Sequence, residues 1–222
     1  MATKTIMKIG AAIASSFMFV TLANAATQGA YVGVGLGGSK INADSTSMFK
    51  NNTGTTGTAN SQSGGLGGKL FGGYNFNQYF GLEANYAAYA RTTNKANVGS
   101  NSASAKYTMS AVSLVGKAYL PIQQFNLYAL GGVAEVYSKV NYNNGSNGAI
   151  TLSNSNLTLK QGSTTTRQLR PIYGVGASYD VTSHVNTGLE FSHIQGSGNT
   201  NTSAKAIPSA NLLTLTAAYN FG

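Results

Sequence analysis

Glu190, Ser192 and His193 bring a carboxylate, a hydroxyl and an imidazole into one short stretch of chain. Those are the groups of an ester- or amide-cleaving site, in which a base activates the hydroxyl. Their spacing argues against it. Side chains leave a strand on alternate faces, so Ser192 and His193 cannot meet unless a bulge intervenes. The other histidine, His184, falls in a short turn, and two histidines with five acidic residues give no metal-ligand spacing. Cysteine is absent, which removes disulfides and thiolate metal sites. Gly33-Val34-Gly35-Leu36-Gly37-Gly38 has the glycines of a dinucleotide loop but lacks the helix and acidic residue that must follow. It reads better as a glycine-lined strand. No catalytic residue, metal or cofactor is expected. What remains is a sparse ionic set, Lys69, Glu83, Lys117, Glu135, Arg170 and Glu190, and the question of what holds it.

The elements that hold it are strands. Reading back from the C-terminus, Phe221, Tyr219, Ala217, Leu215 and Leu213 alternate with Asn220, Ala218, Thr216, Thr214 and Leu212. An apolar, aromatic face thus backs onto a mostly small or polar one. The alternation recurs upstream in segments of about ten residues, the length a tilted strand needs to cross a bilayer. Strands are expected at 29–40, 64–76, 79–92, 105–121, 125–142, 167–181, 184–195 and 210–222. Three connections are very short: Phe76-Asn77-Gln78, Pro121 to Gln124, and Val181-Thr182-Ser183. The other four, 41–63, 93–104, 143–166 and 196–209, are long and rich in Asn, Ser, Thr and Gly. Short and long alternate, so an antiparallel meander gathers all turns on one rim and all loops on the other. This predicts an all-β fold, an eight-stranded antiparallel up-and-down transmembrane β-barrel with short periplasmic turns and long extracellular loops. Closure is required because hydrocarbon offers no partner to the backbone groups of an open edge.

Alternation alone does not say which face points inward, since a soluble barrel would put the apolar stripe inside. The stripes Phe80/Leu82/Ala84/Tyr86, Val112/Leu114/Gly116/Ala118/Leu120 and Tyr173/Val175/Ala177/Tyr179 carry no charge. Their aromatic residues, with Tyr219 and Phe221, suit interfacial girdles. The six ionic residues fall on the opposite face and are therefore expected in the lumen. Charged residues are 9% of the chain, against about 25% in soluble domains, too few to solvate an exterior. The N-terminus agrees. Lys4 and Lys8 precede an uncharged stretch from Ile9 to Leu22 and then Ala23-Asn24-Ala25, the three regions of a secretory signal peptide. Cleavage after Ala25 is expected, giving a leader at 1–25 and a barrel at 26–222. Loss of Lys4 and Lys8 takes the formal charge from +9 to +7. The basic residues are scattered singly, which excludes a nucleic-acid surface and fits anionic lipopolysaccharide or host glycans.

With the strands in place, several segments resemble the OmpA-type transmembrane domain. Phe71-Gly72-Gly73-Tyr74-Asn75-Phe76-Asn77-Gln78-Tyr79-Phe80-Gly81-Leu82-Glu83 is similar to its second hairpin. Val115-Gly116-Lys117-Ala118-Tyr119-Leu120-Pro121-Ile122 is similar to its fourth strand and turn. Arg170 to Gly176 with Leu189-Glu190-Phe191 resembles strands six and seven, and Ala218-Tyr219-Asn220-Phe221-Gly222 resembles the last strand. The resemblance implies a lumen plugged by acidic and basic side chains that can act as a gate. Glu83 falls at a gate carboxylate and Lys117 at its basic partner, a pair that either gates the lumen or only stabilises the barrel. The second pair of that family is missing, with Ser178 and Gly188 at its positions. Gly65, Gly67, Gly73, Gly174, Gly176 and Gly188 also face inward and are expected to thin the packing and admit water. The resemblance ends with the barrel, without the peptidoglycan-binding domain of longer members, and is shared by short porin-family or opacity-like surface antigens. Phe221 stands where such proteins carry the aromatic read by the barrel-insertion machinery.

Loops on a rigid scaffold usually carry binding. The tracts 51–58 and 141–155 are polar and nearly uncharged, so mobility is expected there. Tyr142 and Leu157 would let strands five and six extend beyond the membrane. Lys50, Lys95, Lys160 and Lys205 give each long loop one positive charge, suited to surface phosphates or host polyanions. The expected partners are membrane lipid and lipopolysaccharide, the insertion machinery and host surface molecules, with the chain a monomer in a Gram-negative outer membrane. Three roles follow: a structural surface-exposed barrel first, a small nonspecific diffusion channel second, a host-contact adhesin third.

Overall fold

The computed structural model describes residues 28–42, 58–62, 64–98, 101–144, 150–151, 158–159, 162–197 and 206–222. The expected leader, Lys50, Leu157, Lys160, Lys205 and most of the tracts 51–58 and 141–155 lie outside them. Among the described residues there are twelve strands: β1 (Gly29–Asn42), β2 (Thr58–Gln62), β3 (Gly65–Asn75), β4 (Phe80–Ala88), β5 (Thr92–Val98), β6 (Asn101–Ile122), β7 (Phe125–Asn144), β8 (Ile150–Thr151), β9 (Thr158–Leu159), β10 (Gly162–Asp180), β11 (Val185–Ile194) and β12 (Ser209–Asn220). Eight of them close a ring in the order β6, β4, β3, β1, β12, β11, β10, β7 and back to β6. Every pairing is antiparallel, and β1 seals the ring against β12 from Tyr31 opposite Asn220 to Asn42 opposite Ser209.

The turns are held by local side-chain chemistry. Asn77 Oδ1 accepts from the backbone N–H of Tyr79 and Phe80 at 2.8 and 2.9 Å. Thr182 Oγ1 accepts from those of His184 and Val185 at 3.2 and 3.0 Å. The turn expected from Pro121 to Gln124 is tighter, because Pro121 still lies opposite Asn126 and only Gln123 and Gln124 bridge the strands. Gln123 accordingly takes a left-handed φ of 57°.

At the other rim the strands outrun the membrane. β6, β7 and β10 have 22, 20 and 19 residues, about twice the crossing length. Tyr142 pairs with Gly162, so β7 and β10 do extend past their expected ends. The segment 93–104, expected as a loop, is mostly sheet: β5 pairs with the start of β6, and β2 pairs with β5.

Burial alternates along most of each ring strand and fixes the inside. Leu36, Leu70, Leu114, Val175 and Leu215 point outward, with Leu215 69% exposed. Glu83, on the opposite parity, is 0% exposed. The outward apolar band begins at Phe76, Phe80, Ile122, Phe125, Tyr179, Val185, Tyr219 and Phe221. It ends about ten residues up each strand, at Lys40, Glu135, Asn211 and just below Arg167. At a rise of about 3.3 Å and a tilt of about 40° that is a band about 25 Å tall, a membrane's hydrocarbon thickness. Ring contacts join neighbouring members of the turn-side girdle, with Phe125 to Tyr179 at 4.8 Å and Tyr219 to Phe221 at 5.1 Å. Tyr86 and Tyr173 stand only six residues above Phe80 and Tyr179, about 15 Å higher, within the outer half of the band rather than at its edge.

Candidate functional site

Four of the six ionic residues meet inside the barrel. Lys69 comes from β3, Glu83 from β4, Lys117 from β6 and Glu190 from β11, each three to six residues in from the turn end of its strand. Lys69 Nζ lies 3.2 Å from Glu83 Oε1 and 2.7 Å from Glu190 Oε1. Lys117 Nζ contacts Glu83 Oε2 and lies 3.5 Å from Glu190 Oε2. The charges therefore alternate around a closed quartet with no net charge, and no member exceeds 6% exposure. Neutral donors complete the shell. Tyr31 Oη donates to Glu83 at 3.2 Å, Asn85 Nδ2 to Glu83 at 3.3 Å, and Tyr128 Oη to Glu190 at 3.0 Å. Lys69 lies 4.4 Å from the centre of the Phe71 ring and Lys117 4.7 Å from that of Tyr128. All four carboxylate oxygens have donors, the condition under which buried ions are tolerated.

The glycines serve this packing. Gly33 lies opposite Phe71, Gly73 opposite Tyr31, and Gly176 opposite Tyr128. A Cβ at any of the three would collide with the facing ring. The aromatic side chains that line the quartet thus fold across strand positions that must be bare. The expectation that inward glycines thin the packing fails here, because rings fill the space they leave.

Beyond the quartet, toward the loops, the lumen is mostly apolar, with the hydroxyls of Ser39, Thr92, Ser113 and Ser138 buried among the apolar side chains. Ile41, Tyr89, Met109, Val136, Ile172, Ile194, Ile207 and Leu212 project inward and are buried at 0–6%. Toward the turns lies a cavity of about 40 Å³ lined by Asn75, Tyr119, Asn126, Asp180 and Asn220 among others. It has room for one or two waters. Asn126 Oδ1 is buried with no hydrogen-bond partner among the described residues, and Asn126 lines this cavity. The lumen has three layers: a polar pocket, an ionic layer and a mostly apolar plug.

Arg170 stays on the inward parity but lies apart from the quartet. Its Nε donates to the Gln195 carbonyl at 2.9 Å and a terminal nitrogen donates to that of Gly196. The segment it fastens is tied to Ile207 both ways: Ser197 N–H donates to the Ile207 carbonyl at 2.8 Å, and Ile207 N–H to Ser197 Oγ at 2.9 Å. Ile207, fully buried, is thereby held in the mouth of the barrel.

Glu135 does not face the lumen. Its neighbours Ala134 and Val136 are the buried ones, and Glu135 points outward beyond the apolar band. There it accepts two hydrogen bonds from Arg167, both at 2.6 Å, and one from Tyr137 at 2.9 Å. The Arg167 bonds, then that of Tyr137, hold the Glu135 carboxyl below the usual carboxylate range. Assigning every ion to the lumen overrode the strand parity, and the parity was right. Sequence reasoning also missed that Lys69 and Glu190 form a second buried pair. Ser178 and Gly188 face each other on β10 and β11 as neutral residues, and the second pair sits elsewhere in the ring. Charge balance was a partial signal: beside Glu83 and Lys117 the inward parity holds Lys69, Arg170 and Glu190, so Glu190 had to meet one of the two cations, and the height of Lys69 selects it.

The nucleophile-and-base arrangement does not assemble. The β11 register runs unbroken from Val185 to Ile194, without a bulge. Ser192 is buried inside, and Glu190 is occupied by the quartet. His193 lies on the outer face, 2.5 Å from Asn211 Oδ1 and with its ring 5.1 Å from that of Tyr173.

Comparison with known proteins agrees with this architecture. An uncharacterized protein of Coxiella burnetii is 30% identical over 190 residues, covering 77% of this chain and 76% of that one. The crystal structure of Neisserial surface protein A superposes with a TM-score of 0.54 at 14% identity, covering 86% of this chain and 97% of that one. The outer membrane protein OprG of Pseudomonas aeruginosa does so with a TM-score of 0.53 at 12% identity, covering 90% and 100%. At such identities the likeness is one of fold alone. The OmpA-like transmembrane domain matches residues 25–222, so the chain belongs to that family of outer-membrane β-barrels.

Proposed function

We propose that this barrel is a sealed, monomeric structural scaffold of the outer membrane, exported by its 1–25 leader, whose outer rim and loops are its working surface. The observation that carries this reading is the filled lumen. The quartet spans the interior from β3, β4, β6 and β11, and the apolar plug continues from it to Ile207. An ion entering from the loop side would have to leave its hydration shell among side chains such as Val136, Ile172 and Leu212, where only a few hydroxyls such as those of Thr92, Ser113 and Ser138 could replace it. On this reading Glu83 and Lys117 brace the wall rather than gate a channel. Glu83 is bonded to both lysines and Glu190 to Lys69 and Tyr128, so every carboxylate oxygen is already occupied in the closed arrangement.

The test is conductance of the folded mature chain in planar bilayers, with folding checked by heat-modifiable migration on a gel. The expected record is baseline, without discrete steps. Regular unitary steps from folded protein would overturn the sealed-lumen reading and favour the small diffusion channel.

A further inference from the structure

The outward-facing charges are distributed unequally between the two rims. Lys40, Arg91, Lys106, Lys139 and Arg167 are exposed at the loop end of the barrel. Among the described residues, no lysine or arginine stands at the turn end. Glu135 is the one outward carboxylate at the loop end among those residues, and Arg167 occupies both of its oxygens. Lys106 and Lys139 are left without an ion-pair partner among the described residues.

These two lysines are neighbours. Lys106 lies opposite Asn141 and Lys139 opposite Thr108 in the β6–β7 pairing, so they are diagonal on one face of the sheet. Such positions are about 7–8 Å apart, within reach of one another's long side chains. Like charges there repel, and a shared anion would remove the repulsion. Their height identifies which anion. The apolar band ends near Val112 on β6 and Val133 on β7, and the two lysines stand six residues above those points. That is about 15 Å along the axis, less the length by which a lysine can reach down toward the membrane. At that height, above the headgroups of an ordinary phospholipid, the layer beside them in an outer leaflet would be the larger phosphorylated sugar headgroup of a glycolipid.

We propose that Lys106 and Lys139 form a binding site for the phosphate groups of a phosphorylated outer-leaflet glycolipid, lipopolysaccharide, lying against the outer wall of β6, β7 and β10. Arg167, stacked 5.0 Å from the Tyr137 ring and neutralised by Glu135, borders the site and leaves the lysine pair as its charge. The inference rests on the surface orientation proposed above and is independent of whether the lumen conducts.

The test measures binding of rough lipopolysaccharide, its enzymatically dephosphorylated form, inorganic pyrophosphate and a sulfated polysaccharide to the folded mature chain in zwitterionic detergent. The variants are Lys106→Gln with Lys139→Gln, and Lys40→Gln, on β1 across the barrel, as control. All must show heat-modifiable migration, which these exposed substitutions should preserve. The double variant is expected to bind lipopolysaccharide about 30-fold more weakly, about fivefold per lysine. Dephosphorylation should weaken binding to the wild type comparably, and Lys40→Gln should bind within about twofold of it. Unchanged binding by the double variant, or indifference to dephosphorylation, would overturn the proposal. So would a sulfated polysaccharide that bound more tightly through the same lysines, or pyrophosphate that bound as well as the lipid.

Discussion

Replacing Glu83 by Gln removes one negative charge from a closed quartet at almost constant volume. Glu83 is fully buried and accepts from Lys69 at 3.2 Å, from Lys117, from Tyr31 at 3.2 Å and from Asn85 at 3.3 Å. In the variant Lys69 keeps Glu190 at 2.7 Å, whereas Lys117 keeps only the 3.5 Å contact to Glu190. The layer acquires a net positive charge with little water beside it. A unit pair at 3.2 Å attracts by about 5 kcal/mol at an effective dielectric of about 20, much of which offsets the cost of burying both ions. Removing one partner of such a pair typically costs about 3–5 kcal/mol, because the survivor is left uncompensated. A second variant, Glu83→Gln with Lys117→Met, restores neutrality and leaves Lys69 paired with Glu190. It should be more stable than Glu83→Gln alone, with a coupling of about 2–3 kcal/mol between the sites. The measurement is reversible urea unfolding in lipid vesicles of the wild type, both single variants and the double variant. A loss below about 1 kcal/mol for Glu83→Gln, or strictly additive single-variant costs, would refute the interlocked quartet.

Three further outcomes are expected. Leu215→Arg, in the middle of the lipid-facing band, should cost about 2–4 kcal/mol in vesicles, while Leu66→Arg at the loop end of β3 should cost about 0–1 kcal/mol; equal small effects would mean that the apolar face does not meet lipid. Gly176→Ala drives a methyl into the Tyr128 ring and should cost about 1–3 kcal/mol, whereas Gly131→Ala points into open space and should be neutral or slightly stabilising in the same urea series. Glu135, held low by Arg167 and Tyr137, contributes stability that is present above the unfolded carboxylate range and lost as pH falls through its lowered folded value. A carbon-detected NMR titration should show that low value rising when Arg167 becomes Gln, and an unchanged titration would contradict the hydrogen-bonded pair.

The strands, their order and their outward faces were legible because a two-residue period survives in nearly every segment. Phe80/Leu82/Ala84/Tyr86 and Val112/Leu114/Gly116/Ala118/Leu120 lie on the outer face. Parity also carried information that was set aside. Counting in twos from Leu127 through Val133 puts Glu135 outside, where it is found. A rule that charges belong in the lumen holds within the hydrocarbon and lapses once a strand rises above it. β7 does so at Glu135. Cross-lumen partners were less legible, because Lys69 and Glu190 are 121 residues apart and meet only after the ring closes.

The apolar plug was the least legible feature, for a related reason. In the outer half of the barrel both faces of β7 are largely apolar, with Val133 outside and Ala134 and Val136 inside. Alternation of polarity, the signal for a lipid-facing strand with a wet lumen, is therefore weak in the very region that is filled. The inner face of such a barrel is under no obligation to be polar: it must only be packed or solvated. Here the turn half meets that demand with ions and hydrogen bonds, and the loop half with Ile41, Met109, Ile194 and Leu212. The division has a mechanical consequence. Ionic pairs fix the strands against sliding, since a slip of one residue would turn Lys69 or Glu83 toward lipid. Apolar contacts tolerate small displacements. Register should therefore be set at the quartet, and the long β6–β7–β10 extension that carries the surface lysines is held from below.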